Sequence, residues 1–239
     1  MPDNKKYRRS EQTRYRILKA AIAEFSGRGL AGARIGSIAE AAAVNKALLY
    51  YYFHDKEALY AAALEEVAGK VVESALAVLD RDDSPGERML RFALQHFDRV
   101  LGQQGFQALM QQEMMRFREG QKGGIHILAK KAFEPMFRRV QVVAQEGIRE
   151  GELCDVDWMQ MMYAALGANV FYFMSAPMVR FFAARDPLGP AMIARRRTAA
   201  IEFLGNAIFC DRKHGARLAK KVLATMPLPD GAHMEKKTA

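Results

Sequence analysis

Apolar residues recur along the chain at three- and four-residue intervals, the spacing of helix faces. No stretch alternates strictly enough to propose a strand, and no Asn-Gly hairpin turn is present. The pattern predicts a first helix over 10–27, capped by Ser10, with Ile17, Ala20, Ala21, Ala23 and Phe25 on one face and Gly27 and Gly29 ending it. Two short helices follow at 35–42 and 46–53. A fourth begins at Asp55, whose carboxylate caps it, and runs through Leu59, Leu64, Val67, Val71 and Leu76. The run Asp-Arg-Asp-Asp-Ser-Pro-Gly at 80–86 is the clearest break in the chain. Beyond it, helices are expected over 87–101, 106–118, 124–150, 156–176 and 187–210, with a shorter one near 216–224. The fold class is all-α.

Composition narrows this picture. A chain of 239 residues buries a core without disulfide staples, and 50% hydrophobic with 26% charged residues excludes wholesale disorder. Lys and Arg number 36 against 27 acids, a formal charge of +9 that points to a polyanionic partner. Much of the excess lies at the start, where Lys5, Lys6, Arg8, Arg9, Arg14, Arg16 and Lys19 face only Asp3 and Glu11. A flexible basic arm that contacts phosphates is the expectation. Cys154 and Cys210 stand in neither CxxC nor Cys/His ligand spacing. They read as small buried hydrophobes in a reducing cytoplasm, with no metal site. No apolar segment follows the first basic residues, so no secretory signal is read and a cytoplasmic location is expected. The uncharged run 158–179 is long enough to cross a bilayer, but Gln160, Asn169, Ser175 and Pro177 interrupt it. It is read as a helix buried in a protein assembly, not as a membrane span.

The segment 38–59, IAEAAAVNKALLYYYFHDKEAL, has the lengths of a helix-turn-helix: two short helices joined by a turn near 43–45. Ala39 is small where the helices cross, Val44 fills the crook of the turn, and Leu49 and Phe53 anchor the second helix. Lys46, Ala47, Leu48, Tyr50, Tyr51 and Tyr52 are then left to face outward. Three tyrosines and a lysine on one short surface helix suit a DNA groove, with hydroxyls for phosphates and rings for sugars and base methyls. Lys56 follows at the next helix N-terminus, where free N–H groups also favour an anion.

These residues resemble the TetR family of one-component transcription regulators. The likeness rests on Ile17-Leu18-Lys19-Ala20-Ala21 with Phe25, Ile38-Ala39, Ala42-Ala43-Val44, Leu49-Tyr50-Tyr51-Tyr52-Phe53 and Lys56-Glu57-Ala58-Leu59, covering about residues 14–60. It implies a DNA face formed by Arg34, Ser37, Asn45, Lys46, Ala47, Leu48, Tyr50, Tyr51, Tyr52 and Lys56. Three positions depart from the pattern. Ala43 stands in place of the usual turn glycine, which asks the backbone to stay near helical there. Leu48 replaces a polar base reader and favours thymine-methyl contact. Arg34 replaces a small hydroxyl cap. The domains implied are 1–55 for DNA binding, 56–212 for effector binding and dimerisation, and 213–239 as a basic tail.

Methionine is abundant, at 14 residues, and clusters with aromatics in the second half of the chain. Core packing is the plain reading, and an adaptable apolar cavity is the sharper one. The resemblance implies an effector pocket there, for which the candidates are His96, Phe106, Met110, Gln111, Met114, Phe117, Met162, Tyr163, Asn169 and Phe173. Two widely apolar helices near the C-terminus, with Met159, Tyr163, Leu166, Val170 and Phe173 on one and Ile193, Ala200, Leu204 and Ile208 on the other, suit a self-associating four-helix interface. The expected protein is a homodimer on a palindromic operator in double-stranded DNA, released by an apolar small molecule, without cofactor or membrane. An architectural DNA binder lacking an effector is the alternative. Catalysis finds no GxSxG, HExxH or phosphate-cradling glycine loop.

Overall fold

The computed structural model describes residues 3–102, 104–118, 120 and 123–229. Among them the regular structure is helical: α1 Asp3–Gly32, α2 Ile35–Ala41, α3 Lys46–Phe53, α4 Lys56–Leu79, α5 Pro85–Gly102, α6 Gln104–Arg118, α7 Ile125–Leu128, α8 Glu134–Arg149, α9 Trp158–Val179, α10 Pro190–Ala207 and α11 Arg212–Thr225. A π-helical turn, Ala129–Phe133, joins α7 to α8 and divides what the pattern suggested was one helix. The single extended pairing among the described residues is an isolated antiparallel bridge between Leu153 and Phe209.

The first helix differs from expectation at both ends. It begins at Asp3, so Ser10 lies within it and caps nothing, and Arg8 and Arg9 continue a helix instead of forming a loose arm. At its far end the break falls at Gly29 alone, with φ 67°, a conformation that glycine adopts without penalty. The side chains of Lys5 and Lys6 lie outside the described residues.

Two compact units form, and neither is continuous in sequence: residues 1–73 with 104–135, and 74–103 with 136–239. The boundary read at 55/56 falls inside the first unit. That unit's core gathers Ile17, Leu18, Phe25, Ile38, Leu49, Phe53, Leu59 and Leu64 with Leu109 and Leu128. In the second unit, Phe97, Leu101, Ala176, Leu188 and Ile193 pack together. Arg197 there donates to both carboxylate oxygens of Asp98 at 2.7 and 2.8 Å, and also to the Met226 carbonyl.

The short helix expected near 216–224 at the start of the basic tail stands as the longer α11, Arg212–Thr225. Asp211 caps it by accepting from the Lys213 N–H. Gly205 and Gly215 let α11 lie directly against α10, since a Cβ on Gly215 would fall 1.9 Å from the Gly205 carbonyl oxygen. The carboxylate of Glu87, buried on α5, holds α11 through Lys221 at 2.6 Å. Residues 230–239 of the expected tail lie outside the described set.

Candidate nucleic-acid interface and effector region

Helix α3 is held from both ends. Asn45 has extended backbone, and its side chain accepts from the Leu48 N–H at 2.7 Å, satisfying one of the donors a helix start leaves open. At the other end His54 adopts φ 57°, and its N–H donates to the Tyr50 carbonyl at 2.8 Å. Asp55 then caps α4 by accepting from the Ala58 N–H at 2.6 Å. Leu49 and Phe53 are buried in the core of the first unit, and the Arg14 guanidinium lies 5.5 Å from the Phe53 ring centre.

With Leu49 and Phe53 turned inward, helical spacing forces their neighbours outward. Lys46, Ala47 and Tyr50 are exposed, Tyr51 is 75% exposed and Leu48 37%. The surface is therefore two tyrosines, a leucine and a lysine. Tyr52 corrects the reading of three outward tyrosines. It is half-buried against the core, its hydroxyl is 3.0 Å from the Ser10 Oγ on α1, and its ring meets Tyr51 edge-on. Ser10 and Tyr52 thus brace α3 against α1, a pairing that no local signal announces.

The remaining candidates surround this helix. Arg34 is exposed and precedes α2 with extended backbone. No side-chain cap is made there, while its own N–H donates to Glu24 at 3.0 Å. Ser37 is half-buried on α2. The Lys56 ammonium donates to the Ala31 carbonyl at 3.2 Å at the unit surface. Arg8, Arg9, Arg14, Arg16 and Lys19 are all exposed on α1. Ala43 overturns the expectation of near-helical backbone, since its φ is 52° and an alanine occupies the left-handed region that glycine usually fills.

The effector candidates divide between the two units. In the first, Met110 packs against the core, Gln111, Met114 and Phe117 are exposed, and Phe117 meets His126 edge-on; the side chain of Phe106 lies outside the described residues. In the second, Asn169 is 3% exposed and its Nδ2 is 3.5 Å from the His96 Nδ1. Phe173 packs on Phe97, Met162 is buried, and Tyr163 is exposed. Burial, with the Arg99 charge beside it, pushes His96 down to about 3, so the imidazole is neutral at pH 7. Burial also lowers Arg99, to about 10, which leaves it cationic.

Hollows open among the described residues of the second unit. A small apolar one, about 30 Å³, is lined by Met89, Phe92, Trp158, Met161 and Met162 among others. A larger notch of about 230 Å³ is lined by Ala93, Ala165, Asn169, Arg196, Phe203 and Leu204. Of the predicted pocket residues only Met162 and Asn169 line either. Arg196, which the sequence reading did not select, lines the larger one, and its place in an Arg-Arg-Arg run on α10 carried no signal of that.

The apolar residues expected to self-associate divide between surface and core, with Met159 and Tyr163 exposed on α9. Ile193, Leu204 and Ile208 are buried within their own unit. On α9 the open apolar stripe continues from Met159 and Tyr163 through Phe171, Met174 and Met178, and Phe203, Phe181 and Phe182 are exposed as well. Helix α9 is long and apolar enough to cross a membrane by length and composition.

A capped, outward-facing short helix set on a second one across a tight turn has the geometry of a helix-turn-helix. The profile of the bacterial regulatory proteins of the tetR family matches residues 17–63, the stretch that builds this site. Over that module the chain is similar to the TetR family. It is 43% identical over 89 residues to an HTH-type transcriptional repressor of Streptomyces coelicolor, covering 36% of this chain and 45% of that one. It is 39% identical over 82 residues to the repressor NicS of Pseudomonas putida, covering 34% and 38%. The matched stretch thus spans less than half the length of these relatives. Solved structures share the fold over most of the chain. A transcriptional regulator from Saccharomonospora viridis in complex with choline covers 84% of this chain and 100% of its own, at TM-score 0.67 and 17% identity. FadR from Bacillus subtilis in complex with stearoyl-CoA covers 80% and 96%, at TM-score 0.61 and 18% identity.

Proposed function

We propose that this protein is a dimeric, DNA-binding transcriptional repressor whose α3 reads a palindromic operator and whose second unit binds a small-molecule effector. The observation that carries the reading is the division of α3, with Leu49 and Phe53 anchored in the core while Lys46, Leu48, Tyr50 and Tyr51 stand free. Exposed cations on α1 add phosphate contacts beside it. A second copy packing on the α9 stripe removes Phe171, Met174 and Met178 from water, a burial of several apolar side chains that favours association. A twofold dimer then presents two reading helices to successive turns of one operator.

The effector proposed is mainly apolar, held in the second unit near Met162 and Phe173 and oriented by few polar groups. Asn169, with its Oδ1 unpartnered among the described residues, and neutral His96 are the candidates. Neighbours of this fold hold ligands as different as choline and stearoyl-CoA, so the architecture supports the class without naming the compound. Binding releases DNA only to the extent that the ligand prefers the conformation with the wrong head spacing.

The test is selection of DNA sequences from a random pool by the purified protein, followed by affinity measurements on the selected site. Lys56→Ala is expected to weaken binding about equally across sequences and to flatten its salt dependence. Leu48→Ala is expected to relax preference at one base position in each half-site. Failure to enrich any site, or enrichment that neither substitution affects, sinks the assignment of α3.

A further inference from the structure

The bridge between Leu153 and Phe209 joins the chain just before α9 to the chain just after α10. It is closed by the Cys154 N–H donating to the Ile208 carbonyl at 2.9 Å and the Cys210 N–H donating to the Glu152 carbonyl at 3.2 Å. Leu153 and Phe209 are both buried. Successive side chains on extended backbone alternate in direction, so the residue after each of them turns to the same outer face. Those residues are Cys154, half-buried, and Cys210, exposed, which corrects their reading as buried hydrophobes. On that face the neighbouring Cys154 thiol, as a hydrogen-bond partner, and then burial hold the Cys210 thiol above its ordinary value. Diagonal neighbours across an antiparallel pair lie about 7–8 Å apart at Cα, just beyond the range of about 4.4–6.8 Å that a disulfide spans. Closure therefore asks for a shift of about an ångström, in two segments that lie outside regular helix.

We propose that Cys154 and Cys210 form a reversible dithiol–disulfide pair, oxidised by low-molecular-weight disulfides, which staples together the two ends of the segment carrying α9 and α10. In the first step one protein thiolate attacks a sulfur of the small disulfide; that S–S bond breaks, a small thiolate leaves, and a mixed disulfide remains. The second protein thiolate then attacks the protein sulfur of the mixed disulfide and expels the second small thiolate. Two protein thiols are oxidised, one small disulfide is reduced to two thiols, and the protons lost by the protein are taken up by the leaving thiolates. A thiol held above its ordinary value is a poor thiolate at neutral pH. The pair is accordingly a slow staple that follows the surrounding redox balance, not a fast peroxide sensor. Because the closed loop spans both α9 and α10, oxidation restricts the unfolded chain and stabilises the native one. The proposal is independent of the DNA-binding reading.

The experiment uses the full chain in glutathione buffers of graded redox poise, quenched with acid and alkylated. The expected result is loss of both free thiols together, a mass lower by two hydrogens, and a proteolytic peptide linking Cys154 to Cys210. Dithiothreitol reverses all three, and the oxidised protein melts several degrees above the reduced one. Cys210→Ser is expected to accumulate a stable glutathione adduct on Cys154 instead. The proposal is overturned if wild-type protein collects glutathione adducts or intermolecular disulfides without the linked peptide, stays reduced throughout, or melts no higher once linked.

Discussion

Glu113 offers the sharpest test of how the first unit is held together. It is fully buried, and its Oε1 accepts from the Tyr60 hydroxyl on α4 at 2.8 Å and from Arg116 on its own helix at 2.9 Å. The Arg116 guanidinium also lies 5.6 Å from the Tyr60 ring centre. The second oxygen faces Gly123 and Gly124, where a Cβ would sit 2.5 and 3.2 Å from it. Burial, then the hydrogen bond to Glu113, raises the Tyr60 hydroxyl above its usual range, so it stays a donor across ordinary pH. Glu113→Ala strips the buried hydroxyl of its acceptor, at about 1–3 kcal/mol, and takes the carboxylate from Arg116. Breaking a buried pair by removing one partner costs about 3–5 kcal/mol in all. In a chain of this size that is a fall in Tm of roughly 6–20 °C. Glu113→Gln keeps an acceptor for Tyr60 and is expected to lose about half as much, and Tyr60→Phe about 1–2 kcal/mol. Urea unfolding of the two single variants, Tyr60→Phe and Glu113→Ala, and their double gives the coupling, expected at about 0.5–3 kcal/mol. A loss below about 1 kcal/mol for Glu113→Ala, or strict additivity of the pair, refutes the claim that this contact ties α4 to α6.

Other substitutions test separate parts of the structure. Ala43→Gly is expected to stabilise the first unit by about 0.5–1 kcal/mol in urea unfolding, because glycine relieves the left-handed backbone. Asn45→Ala removes the cap of α3 and is expected to cost about 1 kcal/mol, with a matching loss of DNA affinity. His96, held near 3 when folded but titrating near 6.5 when unfolded, contributes stability that is present above pH 6.5 and lost as pH falls towards 3. Between pH 7 and 5.5 the wild type is expected to lose about 1 kcal/mol more than His96→Gln, as read by urea midpoints. Phe171→Glu with Met174→Glu is expected to convert a dimer to a monomer in sedimentation. Wild-type protein that stays with membranes through a carbonate wash speaks for a bilayer on the α9 stripe instead.

How much of this was legible in sequence depends on how local each feature is. The short helices were expected at 35–42 and 46–53 and stand at Ile35–Ala41 and Lys46–Phe53, because anchors and caps there lie within a few residues of one another. The inward turn of Tyr52 depends on Ser10, on another helix, and Met, Phe and Tyr at helical spacing declare an apolar face without declaring what covers it. That is why Ile193, Leu204 and Ile208, read as interface, proved to be core, while Phe171 and Phe203 remain open. The nearness of Cys154 and Cys210 was invisible for the same reason, since the bridge that aligns them joins segments on either side of two helices.

The arrangement of α3 separates the work of its residues in a way that governs how such a helix can change. Leu49 and Phe53 are committed to the core, so substitution there loses buried apolar area and alters stability before it alters recognition. Ala47, Leu48 and Tyr51 touch no core, and exchanging them leaves the fold nearly untouched while rewriting the surface offered to a groove. Asn45 and Tyr52 belong to both sets. One cap sets where the helix begins, and one hydroxyl pair sets its angle on α1. On the proposed reading, a new operator preference is reached most directly through Ala47, Leu48 and Tyr51 with Asn45 and Tyr52 kept. On that same reading, a change at either of those two is expected to shift the exposed surface of α3 together, so affinity falls on every sequence before any new one is preferred.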